Sequence, residues 1–340
     1  MVEAEAATLL ARCILADPAG QQPQLVLVGD IKQLPATVIS QRAAQQGYSR
    51  SLFERLQQRG SHVPLQLNMQ YRCRPEISAW PRQQFYGGQL QDGPHVLEPS
   101  YGAALLQPLA GSNGSGGAEG LPFSGPFGMM LDVPGSFEKQ GRINSGSVAG
   151  RLVANSYSNP MEADTVSWLL QHLVKKYSAI MGAAAAAAAP ITVGVITPYK
   201  RQVATILQQC MLLTGKSTAA NSSSESSSSS SSSSSDGNLV IGPLQVDVRS
   251  VDGFQRQERD VIIFSAVRAN KFSSTRAMGF TADARRLNVA LTRARNMLIV
   301  VCNACTVSND PLWEGLLESA QAQGVLRVVD CLNAVRPAGL

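Results

Sequence analysis

The chain has 340 residues, 44% of them hydrophobic, and its 29 lysines and arginines outnumber 24 aspartates and glutamates to give a net charge of +5. That length can hold one large or two modest domains around a real core, and no run of 18 apolar residues or basic-then-apolar leader points to membrane insertion or secretion. The cationic excess suits phosphate-bearing partners without identifying one, and a soluble intracellular protein is the expectation.

Along the chain, Val2, Ala6, Leu9, Leu10 and Ile14 recur near helical spacing until Pro18 and Gly20 stop the helix. An apolar strand is expected at Leu25–Val28, then others at Leu65–Leu67, Met129–Val133, Thr192–Thr197, Asp247–Val251, Val261–Ala266, Leu298–Cys302 and Val325–Val329. Helical stretches at Met161–Lys176 and Gln202–Leu213 alternate with them, which predicts an α/β protein with a mostly parallel sheet. Two tracts interrupt the pattern: 99–125, rich in Gly, Ser and Pro, and 214–238, almost pure serine. Neither has the apolar surface to order itself, so both read as disordered low-complexity insertions on loops. The six cysteines are scattered, and the single CxxC at Cys302 and Cys305 has no second pair, so buried thiols are expected rather than a metal site.

Four stretches carry chemistry. Leu25–Val38 runs an apolar segment into Gly29-Asp30, with Gln33 three residues on and Pro35 at the exit, so that a carboxylate and an amide emerge together at a strand's carboxyl end. Taken alone this is also an ordinary strand ending in a turn. Gln70-Tyr71-Arg72-Cys73-Arg74-Pro75 sets an aromatic ring beside a guanidinium, a pair able to stack on a base and grip a phosphate. Ser250-Val251-Asp252-Gly253-Phe254-Gln255-Arg256-Gln257-Glu258 lies between two apolar strands and can aim Gln255 and Glu258 into a cleft, or form a charged hairpin facing water. In Arg285–Arg295, Leu287, Ala290, Leu291 and Ala294 fall on one helical face, which leaves Arg286 and Arg293 on a shared polar stripe.

These stretches resemble, in order, four motifs of superfamily 1 helicases of the senataxin and nonsense-mediated-decay branch: GDxxQLP, QYRMHPxIxxFPxxxFYxGxLxDG, VDxFQGxExD and RRLNVALTRAR. Cys73, Arg74 and Arg256 replace the Met, His and Gly of those motifs. The resemblance implies a RecA-like P-loop NTPase fold, with residues 1–64 as the end of a first RecA-like domain and 65–335 as a second. It implies ATP and Mg2+ as cofactors. Gln33 then senses the γ-phosphate with Asp30 near the metal, Tyr71 stacks on adenine, Arg72 contacts the γ-phosphate, Glu258 bonds ribose or nearby water, and Arg293 is the arginine finger. Gln70 and Gln255 join the nucleotide contacts.

Thr197-Pro198-Tyr199-Lys200-Arg201-Gln202 resembles the TPYxxQ motif, and with Ser250 and Arg286 it implies contact with RNA, single-stranded DNA or RNA–DNA hybrids. Asn159 and Glu162 match an N-x-x-E-A pattern with no chemistry assigned, and Trp313 is expected in the core.

A P-loop needs GxxxxGK[ST] after a strand, and Gly215-Lys216-Ser217 imitates only its end, with Cys210 in the first glycine's place. No DE-A-x-Q metal motif occurs either. The expectation is therefore the C-terminal part of a 5′→3′ helicase, monomeric and nuclear, with no metal ligands of its own and no ATP hydrolysis by the isolated chain. The alternatives are a noncatalytic nucleic-acid-binding half-helicase or scaffold, and a truncated gene product.

Overall fold

The computed structural model describes residues 3–15, 26–36, 38, 40–60, 64–103, 128–145, 152–181, 189–213, 237–270, 278–329 and 335–337. The chain divides into two compact units, Met1–Asn68 and Met69–Leu340.

The first unit holds three helices: α1 (Glu3–Leu15), α2 (Gln41–Gln45) and α3 (Leu52–Gln58). Ser40 and Ser51 cap α2 and α3 by accepting the N–H groups of Ala43 and Glu54, which satisfies amides the helix itself leaves open. An ion pair from Arg55 Nε to Glu3 Oε1, 2.6 Å, ties α3 to α1. The strands expected at Leu25–Val28 and Leu65–Leu67 do not form among the described residues. Val26 and Val28 are 81% and 88% exposed, Leu65 and Leu67 93% and 82%. Apolar, β-prone composition marks a potential strand, but a strand exists only where a neighbour completes its hydrogen bonds.

The second unit begins with a short parallel ribbon, β1 (Met69–Gln70) beside β2 (Gln91–Asp92), with α4 (Pro75–Tyr86) between them and α5 (Pro94–Leu97) after them. Its main sheet is built from β3 (Gly128–Asp132), β6 (Ile191–Thr197), β7 (Asn238–Ile241), β8 (Leu244–Ser250), β9 (Arg259–Ser265), β10 (Ala294–Cys302), β11 (Leu326–Val329) and β12 (Val335–Pro337). The spatial order is β12-β11-β3-β10-β9-β6-β8-β7. Every pairing from β11 through β8 is parallel, and only β12 and β7, at the two edges, run antiparallel. A separate antiparallel hairpin, β4 (Lys139–Ser145) and β5 (Leu152–Ser158), was not legible as strands because its residues are largely polar.

Helices cover both faces, which is why the central strands are continuous apolar runs rather than alternating ones. Residues Val166, Leu169, Leu170 and Leu173 of α6 (Pro160–Met181) and Ile206 of α7 (Lys200–Leu213) join Val193, Val195, Val261, Ile263 and Ile299 in one buried cluster. On β9 Phe264, next after Ile263, faces the other way and stacks on Trp313 of α10 (Pro311–Ala322), ring centroids 6.0 Å apart. Trp313 is fully buried, its indole N–H donating to the Thr281 carbonyl at 2.9 Å. The preceding helices α8 (Ala284–Leu291) and α9 (Ala304–Val307) flank β10 in sequence.

Candidate active site

The β1–β2 ribbon builds the turn that carries Tyr71 and Arg72. The Gln70 side-chain oxygen accepts the N–H groups of Arg72, 2.9 Å, and Cys73, 2.8 Å, while its amide nitrogen donates to the Cys73 carbonyl, 2.7 Å, and to Asp92. Gln70 therefore shapes the turn from within, whereas sequence reasoning had it touching nucleotide. Asp92, which that reasoning passed over, is the hub: it also accepts the Ser78 hydroxyl at 2.7 Å and pairs with Arg82 at 2.9 Å. Tyr71 is 56% exposed, its hydroxyl 3.6 Å from the Met69 sulfur.

Arg72 reaches two distant segments. Its Nε donates to Glu258 Oε2 and its Nη1 to the Thr292 carbonyl at 3.1 Å, contacts that span 186 and 220 residues. The other oxygen of Glu258 accepts from Arg295, Nη2 at 2.6 Å and Nε at 3.0 Å. Burial pushes the Glu258 carboxyl up, but the bonds from Arg72 and Arg295 outweigh it and hold the group below its ordinary value.

Arg293 lies in the same neighbourhood. Helix α8 ends at Leu291, so Arg293 sits in the turn before β10 and is 3% exposed, its Nε donating to the Val289 carbonyl at 3.0 Å. The expected polar stripe shared with Arg286 is thus corrected: the helical period does not extend that far. Burial first, then the like charge of Arg72, brings Arg293 down to about 10. Burial pushes the Cys73 thiol up to about 12 although Arg72 and Arg293 pull it the other way.

In the β8–β9 loop, Phe254 is buried, Gln255 exposed, and Arg256 adopts φ 65° with its side chain in solvent. The left-handed backbone explains why glycine occupies this position in the motif, and here arginine bears the strain without blocking the loop. In the first unit, Asp30 and Gln33 do emerge together: Gln33 Nε2 donates to Asp30 Oδ2 at 2.8 Å and the Lys32 N–H to Oδ1 at 2.9 Å.

Of the expected nucleic-acid residues, Thr197 and Ser250 are register partners at the ends of β6 and β8. Thr197 is fully buried and its hydroxyl has no hydrogen-bond partner among the described residues, whereas Ser250 is half-buried and accepts the Gly253 N–H at 3.3 Å. Arg286 pairs with Asp283, 2.6 Å, and Asp252, 3.3 Å, and lies 4.7 Å from the centre of the Phe280 ring.

Asn159 and Glu162, given no role from sequence, form a buried polar centre. Glu162 Oε2 accepts the Ser265 hydroxyl, 2.6 Å, and the Val267 N–H, 2.9 Å, while Asn159 Nδ2 donates to the Val267 carbonyl at 3.2 Å. Gln202 bridges to it through the Asn159 carbonyl, 3.1 Å, and Ser265, 3.0 Å. Together they hold Val267 at φ 73°, a conformation a β-branched residue adopts only under constraint. The available signal was the spacing of Asn159 and Glu162 with Gln202 of the TPYxxQ stretch. Of the CxxC pair, Cys302 is buried and Cys305 exposed. Gly215-Lys216-Ser217, and the tracts at 104–125 and 214–236, lie outside the described residues. Residues 99–103, at the start of the first tract, are part of the site: Tyr101 donates its hydroxyl to the Arg72 carbonyl at 2.6 Å.

A mostly parallel, helix-flanked sheet with cationic side chains gathered from several loops defines a RecA-like α/β protein. The family described as an AAA domain matches residues 48–305, more than half of the chain. Among similar proteins are "Probable helicase MAGATAMA 3" of Arabidopsis thaliana, 34% identical over 95% of this chain and 32% of its own length, and "Helicase sen1" of Schizosaccharomyces pombe, 31% identical over 87% and 14%. "ATP-dependent helicase NAM7" of Saccharomyces cerevisiae is 33% identical over 89% and 25%. The chain belongs to this AAA domain family, in its superfamily 1 Upf/senataxin-like helicase branch, and corresponds to a C-terminal region of such helicases. It spans a third or less of the length of these three relatives.

Proposed function

We propose that the chain is the C-terminal motor region of an ATP-driven, 5′→3′ RNA or DNA helicase. Its second unit corresponds to the second RecA-like domain and the first to the end of the preceding one. One observation carries the reading: Arg72, Glu258 and Arg293, from three segments remote in sequence, share one cationic neighbourhood.

The charge balance there suits a triphosphate. Arg72, Arg293 and Arg295 gather near Glu258, with Asp260 3.8 Å from Arg295, and the mutual repulsion of Arg72 and Arg293 falls when a polyanion enters. Tyr71 offers its exposed ring to adenine. Glu258 faces ribose or its water, and Arg72 and Arg293 the γ-phosphate. Arg293 must rotate away from the Val289 carbonyl to act as a finger. Gln255 joins these nucleotide contacts and Gln70 acts through the turn, while Asp30 and Gln33, bonded to each other in the first unit, are that unit's own nucleotide-contacting pair. Mg2+ would be held chiefly by carboxylates of a P-loop domain. RNA or single-stranded DNA, including RNA–DNA hybrids, lies along Ser250 and Arg286, and Thr197 joins only if the turn after β6 opens. The nucleus is the proposed compartment and a monomer the proposed state.

The test joins the chain downstream of a P-loop domain from a relative and measures RNA- and DNA-stimulated phosphate release. Arg293→Ala should lower turnover by roughly 10³-fold, and unchanged turnover refutes the finger. Salt-dependent RNA binding indifferent to nucleotide, without turnover, would favour the noncatalytic reading instead.

A further inference from the structure

Tyr71 is the outermost of three rings beside Arg72, and His95 and Tyr101 behind it have no role so far. Tyr71 and His95 lie 5.6 Å apart between ring centres with planes 9° from parallel, an offset face-to-face stack. The His95 ring in turn meets Tyr101 edge to face, 5.3 Å and 89°. Tyr101 closes the circuit through its hydroxyl on the Arg72 carbonyl, 2.6 Å. A side chain at Gly93 would bring a Cβ to 2.3 Å from the Tyr71 ring, so the Tyr71 face on this side rests on the Gly93–His95 segment and leaves the opposite face to solvent. His95 is itself held in place: Val96 beside it is fully buried, and the Gly93 N–H donates to the Gln70 carbonyl at 2.8 Å.

We propose that His95 is a positioning residue of the nucleotide site, backing the Tyr71 ring so that its outer face is presented as a fixed platform for a purine base. The inference rests on the nucleotide reading of Tyr71 and Arg72. An exposed tyrosine with free rotation about its side-chain bonds would lose that freedom each time a base stacked on it. A ring already backed on one face by the Gly93–His95 segment loses far less, and the gain goes into base affinity. The tie through Tyr101 to the Arg72 peptide fixes the base platform and the phosphate-facing arginine relative to each other. His95 thus bears on recognition of the base, while the arginines bear on the phosphates.

The experiment titrates the full chain with ATP and, separately, with inorganic tripolyphosphate, by calorimetry, for the wild type, His95→Ala, His95→Phe and Tyr71→Ala, with circular-dichroism melting to confirm folding. His95→Ala should weaken ATP by about 3- to 10-fold and leave tripolyphosphate within twofold, while His95→Phe restores ATP affinity. ATP binding unchanged in His95→Ala, or an equal loss for tripolyphosphate, overturns the role of His95 while leaving the nucleotide site intact. If Tyr71→Ala also binds ATP as the wild type does, or if the wild type binds neither probe, the nucleotide reading of this turn fails and the role of His95 with it.

Discussion

At the residue scale, position 256 shows how a backbone requirement outlasts the residue that best meets it. The loop demands a left-handed conformation there, and arginine adopts it at φ 65° with its side chain in water. Because the side chain is solvated, replacing it removes strain at little cost in packing. Arg256→Gly should stabilise the chain by about 1 kcal/mol, read from the denaturant midpoint; a destabilised variant would mean that the arginine makes contacts worth more than the strain. The departure from glycine was visible in the sequence, but its consequence was not, since a side chain turned into the cleft and one turned out of it spell the same letter.

At the element scale, the site depends on how one strand admits its neighbours. A Cβ at Gly194, in the middle of β6, would lie 2.5 Å from the Phe254 ring and 2.7 Å from Ile262. The absence of a side chain lets Phe254 fold down onto the sheet, and that anchors the start of the loop leading to Gln255 and Glu258. Gly194→Ala should cost roughly 1–3 kcal/mol and displace the loop, seen as a lower melting temperature and altered protection of the 252–258 amides from hydrogen exchange. An unperturbed variant would show that the loop is placed without Phe254. Strands β3, β6, β9 and β10 were legible from sequence because strands covered on both faces are written as largely apolar runs, and β8 because Leu244, Val246 and Val248 alternate with polar residues. Leu25–Val28 and Leu65–Leu67 share that composition but have no ladder partner among the described residues, and partnership is not a local property. The same limit applied to the site: motif likeness named Arg72, Glu258 and Arg293, while the bond joining Arg72 to Glu258, the nearness of Arg293, and the roles of Asp92 and Tyr101 arise only from the fold.

At the scale of the whole molecule, Glu162 couples pH to stability. Burial outweighs its hydrogen bonds and raises its carboxyl from 4.5 to about 8. In the unfolded chain the group ionises near its ordinary value, so between about 4.5 and 8 unfolding releases a proton. Its contribution is full below that window and is lost as pH rises through it, at about 1.4 kcal/mol per unit of displacement. Urea unfolding at pH 5 and pH 8.5 should show the wild type losing stability relative to Glu162→Gln. Parallel pH profiles for the two proteins would exclude Glu162 as the source.

The place of β7 in the sheet has a consequence for the length of the connection before it. It is the outermost strand, bonded to β8 alone, and the serine tract joins it to α7. Doubling such a connection costs only about 0.6 kcal/mol in closure entropy, and no interior strand is shifted in register. A longer or shorter serine stretch therefore leaves the interior strands, and with them the Arg72–Glu258 pair, where they are.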